Sequence, residues 1–343
     1  MEFLDFRSDT VTKPTPEMRE VMAKAEVGDD VYGEDPSINL LQEISAEMTG
    51  KQAGLFIPSG TMGNLSAVLS HCGRGDEIIM GKLAHLFLYE AGSVSAVGGV
   101  HPHTIPNQSD ATLKLEDIKN AIRPKDSHFP QTKLITIENT HNKCGGQSIS
   151  VEYTNQVGEL ARKHDLKLHI DGARIFNAAV DQACSVKELV AAADSITFCL
   201  SKGLGAPVGS VLCGSKDFIF QAHRLRKQLG GGMRQAGIIA AAGIYALQNN
   251  VESLKEDHRR AKRLGELLQN VDGIDFHVQN TNMTYFALDA DVGMTPDEFL
   301  QKLKEKGLLF GVESSGRFRM VTHLWISDED VERAAEIIID VLI

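Results

Sequence analysis

The chain has 343 residues, 42% of them hydrophobic, and 46 acidic against 35 basic side chains give it a formal net charge of −11. Such a composition suits a globular enzyme, and the length favours a large domain carrying a smaller one over a single core. The acidic balance excludes a broad basic footprint for nucleic acid or an anionic membrane, although it leaves room for a local pocket holding one phosphate group.

Residues 1–5 carry acids where a secretion signal needs a basic start and an apolar run. The longest nearly apolar run, 236–247, is too short to span a bilayer and reads as a buried helix. Five widely spaced cysteines without a C-x-x-C pair suggest neither a disulfide framework nor a zinc site. A reducing cytoplasm is therefore expected, and no metal.

In chain order, Asp35-Pro36 opens a helix with proline in its first turn, and Gly50 closes it. Short apolar runs then alternate with helical segments from 54 to 213. Strands are expected over 54–58, 77–80, 98–103, 133–138, 167–171, 195–200 and 209–213. Several are apolar without alternation, as strands covered on both faces are, so they predict a mostly parallel seven-stranded α/β sheet. Leu247, Val251, Leu254, His258, Ala261, Leu264 and Leu268 recur at three- and four-residue spacing, the stripe of one long amphipathic helix. Capping signals at Thr295 to Glu298 and Ser327 to Asp330 start two further helices, with strand-like runs at 283–288 and 317–322. The expected division is a large domain over 1–246 and a small α+β domain over 247–343.

Three features fall at the ends of expected strands, where open α/β sheets bind ligands. Ser59-Gly60-Thr61-Met62-Gly63-Asn64 follows a strand and opens a helix, so small residues let backbone N–H groups converge on an anion. Alone, it is an ordinary strand-to-helix turn. Asp171, in His169-Ile170-Asp171-Gly172-Ala173-Arg174, ends a buried strand and needs a partner. That partner is either Arg174 or a protonated heterocyclic nitrogen. Lys202 follows another apolar strand inside the glycine-rich turn Ser201 to Gly205, a place that suits an imine-forming amine. Phosphate cradle, ring-nitrogen acid and amine are together what pyridoxal 5'-phosphate (PLP) requires.

These segments closely resemble the low-specificity L-threonine aldolases. So do Arg7 to Thr15, Gly28 to Pro36, Glu138-Asn139-Thr140-His141-Asn142, Gly230 to Gln235 and Arg319-Met320-Val321-Thr322-His323, blocks that span nearly the whole chain. The resemblance implies an aspartate-aminotransferase-like fold (fold type I) and a homo-oligomer, a tetramer whose active sites are shared. It implies reversible PLP-dependent cleavage of L-threonine or L-allo-threonine to glycine and acetaldehyde, with the cofactor as a Schiff base on Lys202. Asp171 matches the ring-nitrogen partner, and Gly60 and Thr61, beside Ser59, match the phosphate binders. By the same resemblance Arg234 would add a phosphate contact from the neighbouring subunit, and Tyr32 matches a residue reaching in from the adjoining subunit. Ser8, Arg174 and Arg319 match binders of the substrate carboxylate, Arg174 standing beside the cofactor too. His85 matches the histidine stacked on the cofactor ring, and His128 one that approaches the β-hydroxyl.

Several readings stay open. The base at the β-hydroxyl is His85, His128 or a water held by Glu90. His128, after Pro124-Lys125-Asp126-Ser127, also reads as part of an exposed loop, and Arg224, Arg226 and Lys227 as a solvated helix face or a phosphate approach. Period-two spacing puts Arg317 and Arg319 on one strand face, and only the family pattern selects Arg319. Gly81-Lys82-Leu83-Ala84 before His85 and Tyr89 depart from the family's usual residues, which leaves the β-substituent preference open. A β-eliminating lyase acting on cysteine or tryptophan derivatives and a catalytically idle homologue are the alternatives. The glycines between Gly28 and Gly33 precede any expected strand, so they lack the context of a dinucleotide fingerprint.

Overall fold

A computed structural model describes residues 3–313 and 315–343. Its first strand, β1 (Leu4–Asp5), pairs in parallel with Leu308–Leu309 near the other end of the chain. Seven strands follow in sequence: β2 (Ala53–Ile57), β3 (Glu77–Gly81), β4 (His101–Ile105), β5 (Thr132–Glu138), β6 (Lys167–Asp171), β7 (Ser195–Cys199) and β8 (Ser210–Gly214). They form one sheet in the order β2-β8-β7-β6-β5-β3-β4. All run in one direction except β8, which is antiparallel to both neighbours. The mostly parallel seven-stranded sheet expected from the apolar runs is therefore present. Its strands β3, β7 and β8 are buried along their whole length, which is why their sequences show no polar alternation.

Two expectations are corrected. The strand expected at 98–103 begins only at His101, because Gly99 adopts φ +65° and the backbone turns there. The single long helix expected through Leu247 and Leu268 is two helices, Gly237–Asn249 and Leu254–Leu268. Between them the side chain of Asn250 donates to the carbonyl of Leu204 at 2.7 Å, tying the break to the loop that follows Lys202. The buried stripe Leu254, Ala261, Leu264 and Leu268 survives in the second helix.

The C-terminal strands are β9 (Ile274–Asn280), β10 (Met283–Leu288), β11 (Leu308–Leu309), β12 (Gly311–Val312) and β13 (Phe318–Val321). Four of them make an antiparallel sheet in the order β12-β13-β10-β9. Strand β9 went unread in the sequence because it is an edge strand with alternate polar residues, Asp275, His277 and Gln279. Capping boxes at Thr295/Glu298 and Ser327/Asp330 open the helices Pro296–Glu305 and Asp328–Leu342, as expected. Phe286, Phe299, Phe310 and Phe318 lie with ring centroids 5.2 to 6.3 Å apart in a second core, which Leu4 and Phe6 join from the N-terminus. Among the described residues, no helix is long and apolar enough to cross a membrane.

Parallel strands bring their C-terminal ends to one edge of the sheet. Glu138, Asp171 and Cys199 end β5, β6 and β7 there, and Asp171 stands in register between Glu138 and Thr197.

Candidate active site

Asp171 is buried, and its carboxylate is held by neutral donors. Oδ2 accepts from Asn64 Nδ2 at 2.9 Å and Oδ1 from the amide of Ala173 at 3.1 Å. No cation pairs with it among the described residues. Arg174, the partner weighed from sequence, turns instead to Asp9.

The helix Gly60–His71 starts against this edge. Ser59 caps it, accepting from the Met62 amide at 3.2 Å. A Cβ on Gly60 would stand 2.9 Å from Cys199 Sγ, and one on Gly63 2.6 Å from Thr197, so glycine lets the helix sit directly on the end of β7. The amides of Gly60 and Thr61 belong to the first turn, which a helix leaves without internal acceptors.

Asn64 joins two carboxylates, because its Nδ2 also donates to Glu90 Oε1 at 2.9 Å. With the amide nitrogen so used, Asn64 Oδ1 accepts from His169 Nε2 at 3.2 Å, leaving His169 Nδ1 to meet Ser195 Oγ at 2.9 Å. Burial pushes His169 down to about 3 and His71, the next group in this chain, down to about 4. Both rings are therefore neutral at ordinary pH.

His85 opens the short helix His85–Leu88 and donates its amide to Glu138 Oε2 at 2.7 Å. Its Nδ1 meets Glu90 Oε1 at 2.9 Å. The hydrogen bond to Glu90 raises the His85 pKa against its burial, helped by the charges of Asp171 and Glu138. Burial likewise raises Glu90, and the nearby Asp171 adds to the effect. His85, Glu90 and Asp171 each offer an atom within 4.8 Å of the others, and within this cluster His85 Nδ1 meets Glu90 Oε1.

Lys202 lies just beyond β7. Its carbonyl accepts from Thr12 Oγ1 at 3.0 Å, while its ammonium has no hydrogen bond or ion pair among the described residues. Arg319 donates Nη1 to Asn142 Oδ1 at 2.7 Å and Nη2 to the Arg7 carbonyl at 3.0 Å. Arg317, which period-two spacing put on the same face as Arg319, points elsewhere. It stacks 4.5 Å over Tyr285 and bonds Glu313.

Ser8, His85, Asp171, Arg174, Lys202 and Arg319 all line one cavity of ≈ 600 Å³, with Thr10, Tyr89, Glu138, Asn142, Lys143 and Glu313 completing its polar wall. Six expected residues do not line it. Ser59, Gly60 and Thr61 stand at the helix start packed on Cys199 at the end of β7. His128 is exposed in its loop, its ring bonded to Asp126 at 2.6 Å, and the structure does not bring it to the other groups. Tyr32 is 74% exposed, and Arg234 pairs with Asp29 at 2.9 Å on the same outer surface. Arg226 is not on a solvated face but buried, bonding Asp30 at 2.6 Å and the Phe56 carbonyl at 2.8 Å.

Sequence reasoning passed over Asp9, Asn64 and Glu138. Each lay inside a quoted block, and a polar residue at the end of an apolar strand or helix start was the available signal.

The sequence model of the beta-eliminating lyase family matches residues 5–291. Low-specificity L-threonine aldolase 1 of Arabidopsis thaliana is 51% identical over 336 residues, covering 96% of this chain and 94% of that protein. The low specificity L-threonine aldolase of Escherichia coli (strain K12) is 47% identical over 332 residues, with 97% of each chain covered. Among solved structures, the threonine aldolase of Leishmania major superposes with a TM-score of 0.84 over 99% of both chains. At 20% identity, that likeness speaks to the fold.

Proposed function

The chain belongs to the beta-eliminating lyase family and, within it, to the low-specificity L-threonine aldolases, and from that premise we propose that it cleaves L-threonine and L-allo-threonine reversibly to glycine and acetaldehyde with the help of PLP. One observation carries the reading. Among the described residues, a buried carboxylate with no ion pair, Asp171, and an ammonium with no partner, Lys202, face one cavity from the ends of adjacent parallel strands. An unpaired buried carboxylate is costly, and a cationic ring nitrogen would offset that cost.

When bound, PLP supplies the electron sink that lets the Cα–Cβ bond of an amino acid break. Lys202 would hold it covalently, Asp171 its ring nitrogen, His85 one ring face, and the Ser59–Thr61 turn its phosphate. Arg234 of the partner subunit would add a phosphate contact, and Tyr32 of the partner subunit would close the cavity, in a homotetramer with shared sites. The exposure of both side chains outside their own chain's cavity is consistent with this.

Arg174, Arg319 and Ser8 would bind the substrate carboxylate. Each arginine is already anchored by two hydrogen bonds, and its remaining N–H groups suit a planar carboxylate. That clamp would fix the orientation of the substrate about Cα. His85 would take the β-hydroxyl proton at Nε2 while Glu90 holds Nδ1, a pairing that raises its basicity. The exposed position of His128 speaks for His85 over it. A net charge of −11 suits small substrates better than nucleic acid, and we place the chain in the cytoplasm.

Product analysis on the purified protein supplied with PLP is the test. Glycine and acetaldehyde from L-threonine support the reading. Pyruvate and ammonia from cysteine, with L-threonine left intact, would replace it with β-elimination.

A further inference from the structure

We propose that Glu138 is a positioning residue that fixes the cofactor-facing histidine and the substrate-facing arginine from one carboxylate. The proposal rests on the reading above. Glu138 ends β5, is buried, and lines the cavity without contacting any of its cationic groups at hydrogen-bonding distance. Its two oxygens are divided between two chain segments. Oε2 accepts from the His85 amide at 2.7 Å, and Oε1 from the Asn142 amide at 2.9 Å.

Both amides need this acceptor. His85 is the first residue of its short helix, and Ala84 before it supplies no side-chain cap. Asn142 lies in the turn after β5. Its Oδ1 accepts from Arg319 Nη1 at 2.7 Å, and its carbonyl accepts from Tyr285 Oη at 2.8 Å. Arg319 on β13 and Tyr285 on β10 belong to the C-terminal sheet, so Glu138 reaches that sheet through Asn142. One side chain thus sets where the imidazole stands on one wall and where the guanidinium stands on the other. Only a group that accepts at both ends fits, because an amide in its place would turn a donor toward one of the two N–H groups.

The test is Glu138→Gln in the holoenzyme, read by amide hydrogen exchange and by glycine binding followed through the cofactor's absorbance. The expected result is exchange at His85, Asn142 or both faster by about tenfold or more. Glycine affinity should fall by about tenfold, with cofactor content unchanged. A folded E138Q protein with wild-type exchange at both amides and wild-type glycine affinity would overturn the proposal. Should E138Q not fold, exchange in the wild-type chain decides. Protection of both amides supports the role, and exchange of both at unstructured rates overturns it. That readout needs no turnover, so it stands apart from the reaction itself: a wild-type protein that binds PLP but leaves L-threonine intact would refute the proposed activity and not the clamp.

Discussion

Asp9 holds Arg174 through two parallel hydrogen bonds of 2.7 Å, Nε to Oδ2 and Nη2 to Oδ1, and both side chains are buried. Burial pushes the Asp9 carboxyl up, but the charge and hydrogen bonds of Arg174 outweigh it, with help from Lys202, and hold it well below the usual range. The arginine is therefore fixed before any substrate carboxylate arrives. Asp9→Asn leaves a buried guanidinium without its counter-charge. It should destabilise the fold by about 3 kcal/mol or more in a denaturant titration and raise KM for L-threonine. Unchanged stability would show that Arg174 finds another partner.

Asn64 donates from one nitrogen to Asp171 and Glu90, and so keeps two neighbouring carboxylates in place. Asn64→Ala should weaken PLP binding to the cofactor-free protein by about tenfold, the scale of a lost hydrogen bond to a charged group. Asn64→Asp, which adds a third carboxylate, should weaken it further. Fluorescence titration with PLP measures both, and affinities equal to wild type would remove Asn64 from the account.

Glu90 is the main cause of the raised His85 pKa. In Glu90→Gln, the His85 titration followed by NMR should therefore move to lower pH. The sign for stability follows from the same direction. The contribution of a raised histidine is fully present below its ordinary pKa, near 6.5, and is lost as pH rises through the folded value. The variant should consequently lose part of the pH dependence of its melting temperature above about pH 6. A midpoint that stays put would mean that Asp171 and Glu138, not Glu90, govern the ring.

The parts legible in sequence were those whose signal is local. Strand 167–171 and its terminal Asp171 stand out because a covered parallel strand is an unbroken apolar run, and the same holds for the strand before Lys202. What escaped depends on distant partners. Nothing near Asp9 announces Arg174, and nothing near Asn64 announces Asp171 or Glu90, since those contacts exist only once strands and helices are assembled. The break between Asn249 and Leu254 was hidden for a similar reason: the apolar stripe continues across it, while the Leu204 carbonyl that captures Asn250 is remote in sequence. His128 is the opposite case. Its family pattern suggests a role, yet within this chain its loop leaves it exposed beside Asp126.

Asp257 is buried on the helix Leu254–Leu268 with Oδ2 unpartnered among the described residues. Burial pushes its carboxyl up to about 7, with Arg260 opposing and Asp9 adding to the rise. A raised carboxyl contributes stability below its unfolded pKa, near 3.9, that is lost as pH climbs through about 7. Asp257→Asn removes this penalty. The variant should gain on the wild type between pH 4 and pH 8, by on the order of 4 kcal/mol at most. Parallel melting curves for the two proteins across that range would contradict it.

Lys202→Ala, examined by absorbance spectrum and threonine cleavage together, tests the central claim most directly. The account predicts that the folded variant, incubated with PLP, shows no imine band and releases no acetaldehyde from L-threonine. A variant that keeps both the imine band and normal turnover would contradict it.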